Sequence, residues 1–149
     1  MTVTIRRAVA DDVPEIVALL ADDSLGAKRE SPDDLTPYQV AFKAVDADPN
    51  QLLVVVEHEG AVVGTAQLSY IPGLSRRGAL RAQIEGVRVR SDQHGTGLGE
   101  RMMRWLIDTA RERGADVVQL TSDVTREGAH RFYQRLGFQP THVGFKMAL

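Results

Sequence analysis

The sequence predicts a mixed α/β fold, in which a central, mostly antiparallel sheet carries helices on both faces. Two β-branched runs, QLLVVVEH and AVVGTAQLSYI, are separated by the turn-forming pair Glu59-Gly60, which predicts an antiparallel hairpin. Further along, residues 81–123 read as a strand, a helix and a second strand, which is typical of a parallel βαβ unit. Because one chain holds both arrangements, the sheet must be mixed.

Size and composition predict one compact domain over residues 1–149. The chain has a mass of 16.4 kDa, with 43% hydrophobic and 26% charged residues, as in average globular proteins. Its formal net charge is −2, so no global field attracts nucleic acid. It contains no cysteine, which excludes disulfides, thiolate metal sites and a cysteine nucleophile.

Hydropathy predicts a cytoplasmic protein that does not enter a membrane. The segment MTVTIRRAVADD lacks the apolar region of a signal peptide, and no apolar run approaches the roughly 20 residues of a membrane span. His58, His130 and His142 are scattered without metal-ligand spacing, and we therefore expect no metal site.

The first third of the chain predicts a strand and two helices. TVTIRR alternates apolar and polar residues as a strand does. Asp11 and Asp12 are N-cap candidates, and Pro14 suits the first turn of a helix. The apolar positions expected to be buried in this helix are Val13, Ile16, Val17 and Leu20. The loop ESPDD then precedes a weaker helix near YQVAFKAVDAD.

The second half alternates strands and helices. RAQIEGVRV reads as a strand in which Gly86 indicates a bulge. A helix follows from Leu98, ending at Gly114, and then VVQLTSD reads as a buried strand. REGAHRFYQRLGF predicts a helix that stops at Gly137, and HVGFKMAL predicts a closing strand.

The stretch QHGTGLG, residues 93–99, joins a strand to a helix N-terminus, which is an arrangement that binds phosphate groups. A Walker loop requires a Gly-Lys-Ser/Thr ending, which is missing here. A dinucleotide fingerprint requires G-x-G-x-x-G, but Glu100 occupies the third glycine position counted from Gly95. A loop whose glycines serve only tight turning is the remaining alternative.

The segment IEGVRVRSDQHGTGLGERMMRWLIDTA, followed by AHRFYQRLGF, resembles the GNAT superfamily of acetyl-CoA-dependent N-acetyltransferases. The family signature is Arg or Gln, two residues, Gly, one residue, then Gly or Ala. Gly97 and Gly99 take the small positions, and His94 departs from the family by taking the Arg or Gln position.

The resemblance implies a coenzyme site. In it, backbone amides of the loop hold the pyrophosphate of acetyl-CoA, and the main chain of Val87 and Val89 pairs with the pantetheine arm. Arg88 is one of several arginines whose charge can meet the adenosine 3′-phosphate. Arg126, where the family often has Asn, faces the coenzyme's phosphates or solvent. The residues expected to supply the loop amides are His94, Gly95, Thr96, Gly97, Leu98, Gly99 and Glu100.

Acetyl transfer to an amine requires a base, a polarised carbonyl and an acid for the leaving thiolate. Glu85 resembles the carboxylate that many GNAT enzymes use as base, although a solvated or salt-bridged strand residue is the alternative. Backbone N–H groups at Gly86 and Val87 are candidates to stabilise the carbonyl oxygen, unless the strand pairs regularly there. Tyr133 matches the family's catalytic tyrosine, although its helical spacing also suits a core aromatic.

The sequence thus predicts an N-acetyltransferase that moves the acetyl group of acetyl-CoA to a primary amine of a small molecule or peptide by direct attack in a ternary complex. Polyamines, aminoglycosides, lysine and protein N-termini remain open as acceptors, with residues 25–48 and 139–145 expected around the acceptor. The alternative is a non-catalytic acyl-CoA-binding regulatory module. By analogy with the family we expect a homodimer.

Overall fold

The computed structural model describes residues 2–149. The strands are β1 (Thr4–Arg7), β2 (Gln51–His58), β3 (Ala61–Ile71), β4 (Arg81–Val89) and β5 (Val117–Gln119). The helices are α1 (Val13–Ala21), α2 (Gly26–Arg29), α3 (Thr36–Ala47), α4 (Ser75–Gly78), α5 (Leu98–Glu112) and α6 (Glu127–Leu136). In the short turn α4, Arg76 and Arg77 adopt left-handed backbone angles. None of the helices in residues 2–149 is long and apolar enough to cross a membrane.

The five strands form one sheet in the order β1-β2-β3-β4-β5. The first three pairings are antiparallel and the last, β4 with β5, is parallel. This confirms the predicted mixed, mostly antiparallel sheet. The hairpin at Glu59-Gly60 is also confirmed, with both turn residues at positive φ.

Both faces of the sheet are covered by helices. Val54 and Val56 of β2 pack towards α5, whose Met102, Met103 and Leu106 are fully buried. Val55 points the other way and clusters with residues of α1. Because both faces are covered, β2 reads as a continuous apolar run and not as an alternating one. Burial of each such side chain contributes about 1.5–3 kcal/mol to stability.

The start of α1 differs from the expected cap. Asp12 occupies the N-cap position, but its side chain makes no cap hydrogen bond to the helix. Its carboxylate accepts hydrogen bonds from Arg6 at 2.8 and 2.9 Å and from the Val9 N–H at 2.7 Å. Asp12 bonds to Arg6 in preference to capping the helix because the guanidinium is charged.

Further into α1, Leu19 is buried, whereas Leu20 is only half-buried and lies beside Gly86 of β4.

Two predictions for the last third of the chain are wrong. VVQLTSD is not a buried strand, because only Val117–Gln119 pair with β4 and Val117 remains 37% exposed at the edge of the sheet. HVGFKMAL forms no strand, and all of residues 139–149 are exposed. By contrast, α6 ends as expected at Gly137, which has a φ of 109°.

Candidate active site

The sheet opens between β4 and β5. The two strands pair in parallel only from Arg81↔Val117 to Gln83↔Gln119, whereas β4 continues to Val89. On the side facing β5, the second half of β4 therefore has no strand neighbour within the described chain. An extended ligand can add itself as a strand along such an edge. In this structure, side chains of Arg88 and His94 donate to the carbonyl oxygens of Val87 and Val89 there.

A bulge lies in this unpaired half of β4. Residue pairing with β3 jumps from Gln67↔Glu85 to Thr65↔Arg88, so Gly86 and Val87 have no partner in the register. Gly86 has a φ of 62° and is exposed. The sequence predicted a bulge at this isolated strand glycine, and the register confirms it. The bulge leaves backbone groups at Gly86 and Val87 outside the ladder, beside the opening.

The glycine loop lies at the same end of β4. Gly95 and Gly97 have φ values of 80° and 83°, and a Cβ added to either would meet no atom within 4 Å. Gly97 is the N-cap residue of α5 and provides no side chain to cap the helix. The first N–H groups of α5 therefore face the loop without a side-chain acceptor, and the positive end of the helix dipole adds to their attraction for an anion.

Gly99 lies in a packed environment, where an added Cβ would still find ordinary van der Waals contacts. A Cβ there would lie 3.5 Å from Phe132 Cζ and 3.6 Å from Val89 Cγ2. The residue lies where α5 packs against α6 and β4. It therefore supports the position of the loop, whereas Gly95 and Gly97 shape the loop itself.

His94 is held by the strand that precedes the loop. Its Nε2 lies 2.9 Å from the carbonyl oxygen of Val89 and donates to it. Only Nδ1 remains free, and it donates to a phosphate only when the ring is protonated. Nearby, Arg104 pairs with Glu100 at 2.7 Å and Arg90 with Asp92 at 2.7 Å. Much of the positive charge expected around the loop is therefore already neutralised.

Tyr133 lies on α6, packed between two aromatic rings. Its ring makes edge contacts with Phe132 and Phe138 at centroid distances of 5.3 and 6.0 Å. Burial raises the pKa of the Tyr133 phenol, and the charges of Arg88 and Arg126 oppose that rise. The phenol keeps its proton at neutral pH and is able to act as an acid. The side chain thus packs as an aromatic ring among other aromatic rings and keeps its phenolic proton.

Glu85 is exposed and belongs to a row of polar side chains on one face of the sheet. Gln67 lies opposite it on β3, and Ser69 Oγ lies 3.4 Å from its Oε1. Hydrogen bonds between amides continue the row, from Gln67 Nε2 to Gln51 Oε1 at 2.8 Å and from Gln119 Nε2 to Gln83 Oε1 at 3.0 Å. Sequence reasoning missed this row, although polar residues at alternate strand positions are visible in the sequence.

A second polar cluster joins the loop after α1 to the start of α6. Arg126 donates to Asp23 Oδ2 at 2.6 Å, and the buried Arg88 Nε lies 3.5 Å from the same oxygen. Burial would raise the pKa of Asp23, but the Gly26 N–H and the two arginines lower it overall. A cavity of about 330 Å³ is lined by Asp23, Ser24, Leu25, Thr125, Arg126 and Ala129.

Arg126 and Arg88 both contact Asp23 in this cluster. Burial, followed by the charge of Arg126, lowers the pKa of Arg88. Two guanidinium groups thus converge on one carboxylate, and Arg126 and Asp23 of this cluster line the cavity, so the cluster has a net positive charge. Across residues 2–149, no group of three or more His, Asp or Glu side chains could hold a metal ion.

Comparison with known proteins identifies the family. The family model described as "Acetyltransferase (GNAT) family" matches residues 13–138, and the chain belongs to this family of acetyltransferases. The resemblance seen in the loop and in α6 is thereby confirmed.

Individual relatives cover nearly the whole chain. An aminoalkylphosphonate N-acetyltransferase of Salmonella typhimurium is 28% identical over 97% of this chain and 90% of that protein. An L-methionine sulfoximine/L-methionine sulfone acetyltransferase of Pseudomonas paraeruginosa is 31% identical over 93% of this chain and 81% of that protein. Among solved structures, a protein described as a transcriptional regulator from Bacillus halodurans C-125 is 42% identical, with a TM-score of 0.95, and the match covers 99% of this chain and 100% of that chain.

Proposed function

We propose that residues 1–149 act as a single N-acetyltransferase domain that moves the acetyl group of acetyl-CoA to the primary amine of a small molecule. The observation that carries the proposal is the opening between β4 and β5, which has a bulge beside it and a glycine loop at its end. The family uses acetyl-CoA. The opening suits the extended pantetheine arm of acetyl-CoA, and the glycine loop suits its pyrophosphate.

The residues that would hold the coenzyme form one continuous track. The main chain of Val87 and Val89 would pair with the pantetheine arm in the manner of an added strand, and Arg88 and His94 would give up the hydrogen bonds that they donate to the two carbonyl oxygens. The amides from Gly95 to Glu100 would hold the pyrophosphate at the start of α5. Bound acetyl-CoA supplies the acetyl group as a thioester, and the remaining chemistry falls to side chains of this protein.

Three groups of this chain would share the chemistry. Glu85, exposed at the bulge, would take the proton from the attacking amine, directly or through water. The N–H groups left outside the ladder at Gly86 and Val87 would stabilise the charge that develops on the carbonyl oxygen. Tyr133, which keeps its proton at neutral pH, would protonate the departing thiolate.

For the acceptor we propose an amine that also carries an acidic group. Aminoalkylphosphonate and methionine sulfoximine, named for the two relatives, both combine an amine with an acid group. In this chain, Arg126 offers a guanidinium group at the wall of the cavity, with the buried Arg88 beside Asp23, and guanidinium groups bind carboxylates and phosphonates in a bidentate manner. The glutamine row beside Glu85 offers further hydrogen bonds to a polar acceptor.

Replacement of Arg126 by glutamine tests this assignment. We expect Arg126→Gln to raise KM for an aminoalkylphosphonate at least tenfold, since hydrogen bonds to charged groups contribute about 1.5–3 kcal/mol. KM for acetyl-CoA should stay unchanged. Arg131→Gln, on the exposed face of α6, is the matched control. If KM for acetyl-CoA rose instead, Arg126 would serve the coenzyme's phosphates, which is one of the two alternatives that the sequence leaves open for it.

A regulatory acyl-CoA-binding module is the second candidate, because the relative that is 42% identical is described as a transcriptional regulator. Such a module would bind acetyl-CoA and release no coenzyme thiol in the presence of amines. Retention of Tyr133 and Glu85 beside the opening supports the enzyme. Turnover with amines that carry an acid group distinguishes the two candidates.

A further inference from the structure

The row of polar side chains beside Glu85 crosses four strands of the sheet. Its members in direct register, on β2, β3, β4 and β5 in turn, are Gln51, Ser69, Gln83 and Gln119. Side chains of directly paired residues share one face of a sheet, so these four lie side by side. Glu85 follows two positions after Gln83 and therefore lies on the same face, with Gln67 opposite it on β3.

These polar side chains stand beside apolar ones that pack the neighbouring part of the same face. On β2, Leu53 and Val55 belong to the apolar cluster of α1, and the polar part begins at Gln51. Ser69 is only 7% exposed, and the glutamines of the row are half-buried. Polar groups cost stability when they leave water unless they are hydrogen-bonded. A row of them on this face indicates a surface that binds a polar ligand.

Hydrogen bonds that start at β5 orient the amide of Gln83. Arg81 Nη1 lies 3.5 Å from Gln119 Oε1, and Gln119 Nε2 donates to Gln83 Oε1 at 3.0 Å. Because the oxygen of Gln83 accepts this bond, its Nε2 is left without a partner in residues 2–149. This nitrogen is also accessible to solvent. A free hydrogen-bond donor therefore lies two positions before Glu85.

Hydrogen bonds on the other side orient the amide of Gln67. Gln67 Nε2 and Ser69 Oγ both donate to Gln51 Oε1, at 2.8 and 2.7 Å. The nitrogen of Gln67 is thereby used, and its Oε1 remains accessible, with no partner in the described part of the chain. Glu85 is thus flanked by a free oxygen, on Gln67, and a free N–H donor, on Gln83.

We propose that the amine substrate carries a carboxamide, which Gln83 and Gln67 recognise. A carboxamide has one C=O and one NH₂ group, which complement the two free groups of the row. Its oxygen would accept from Gln83 Nε2, and its nitrogen would donate to Gln67 Oε1. The inference rests on the proposed function, because Glu85 as the base marks the position of the amine. With the acid group proposed above, the substrate class is a small amino acid with a carboxamide side chain.

The first test compares the binding of L-glutamine and L-methionine to the full chain saturated with coenzyme A, measured by isothermal titration calorimetry. The two amino acids are similar in length, and only glutamine has the carboxamide. Each hydrogen bond between neutral groups changes Kd roughly 2–10-fold, so two bonds should make glutamine bind at least about fourfold more tightly. Equal Kd values, or no binding of glutamine, would overturn the proposal.

Two variants test the assigned residues. Gln83→Met and Gln67→Met each replace an amide by an apolar side chain of similar size, and each should reduce the preference for glutamine roughly 2–10-fold with the Kd of methionine unchanged. Gln134→Met, on the exposed face of α6, is the matched control and should keep the preference. Circular dichroism checks the fold of each variant, and the wild-type comparison stands without them. A preference that survives in both folded variants would overturn the assignment.

Failure of the proposed function would look different. If glutamine bound with the expected preference but released no coenzyme A from acetyl-CoA, the acetyl transfer would be contradicted and the recognition of the carboxamide would stand. If both amino acids were acetylated with the same kcat/KM, the acetyl transfer would stand and the carboxamide site would be contradicted.

Discussion

The glycine loop leads to a prediction with a matched control on the same helix. Gly97 is the N-cap of α5 and Gly114 follows the C-cap of the same helix. Their φ values are 83° and 90°, and an added Cβ would meet no atom within 4 Å at either position. Valine at either site costs about 1–2 kcal/mol of backbone strain. At roughly 2–4 °C per kcal/mol for a chain of this size, both variants should lose about 2–8 °C in Tm.

Only the variant at Gly97 should lose the coenzyme. Acetyl-CoA at about a hundred times its Kd stabilises the native state by roughly 2.7 kcal/mol, a rise of about 5–11 °C in Tm. Gly114→Val should keep this rise. In Gly97→Val, a hundredfold weaker Kd would reduce it to about 0.4 kcal/mol, or about 1–2 °C. Thermal unfolding measures all of these shifts, and equal shifts in the two variants would refute the loop as the pyrophosphate site.

Three further predictions concern side chains. Tyr133→Phe should lower kcat roughly 10²-fold or more with the acetyl-CoA Kd unchanged, and unchanged turnover would exclude the acid role. Glu85→Gln should lower kcat/KM by about 10²–10⁴, with activity recovering at high pH as the amine loses its own proton; a pH–rate profile parallel to the wild type would contradict a base at this position. Arg6 lowers the pKa of Asp12, so Asp12 stabilises the fold above its ordinary value near 3.8, and this contribution is lost as pH falls through the lowered value. Urea unfolding of Asp12→Asn should therefore show a loss of about 1.5–3 kcal/mol at pH 7 that narrows under acid, and a loss independent of pH would contradict this linkage.

The mixed sheet, its hairpin and the bulge in β4 were largely predictable, because they follow from local patterns. Turn residues at Glu59-Gly60 and the isolated Gly86 mark positions where the backbone leaves a regular ladder. The loop before α5 could be recognised for the same reason, since glycines and a helix N-terminus act within a few residues.

Contacts between distant residues could not be predicted in this way. Arg126 and Asp23 are separated by 103 positions, and no local pattern indicates that they meet. Asp12 was expected to cap a helix, but the strand places Arg6 beside it, and the charged partner is preferred. The closing strand failed because alternation reports an amphipathic segment without identifying the chain that covers it.

The central claim is tested most directly by coenzyme A release from acetyl-CoA, followed by mass spectrometry of the amine. With an aminoalkylphosphonate or methionine sulfoximine, we predict release that requires the amine and yields its N-acetylated form. If acetyl-CoA stabilised the protein but no primary amine were acetylated, the enzyme assignment would be contradicted and the regulatory module would be favoured.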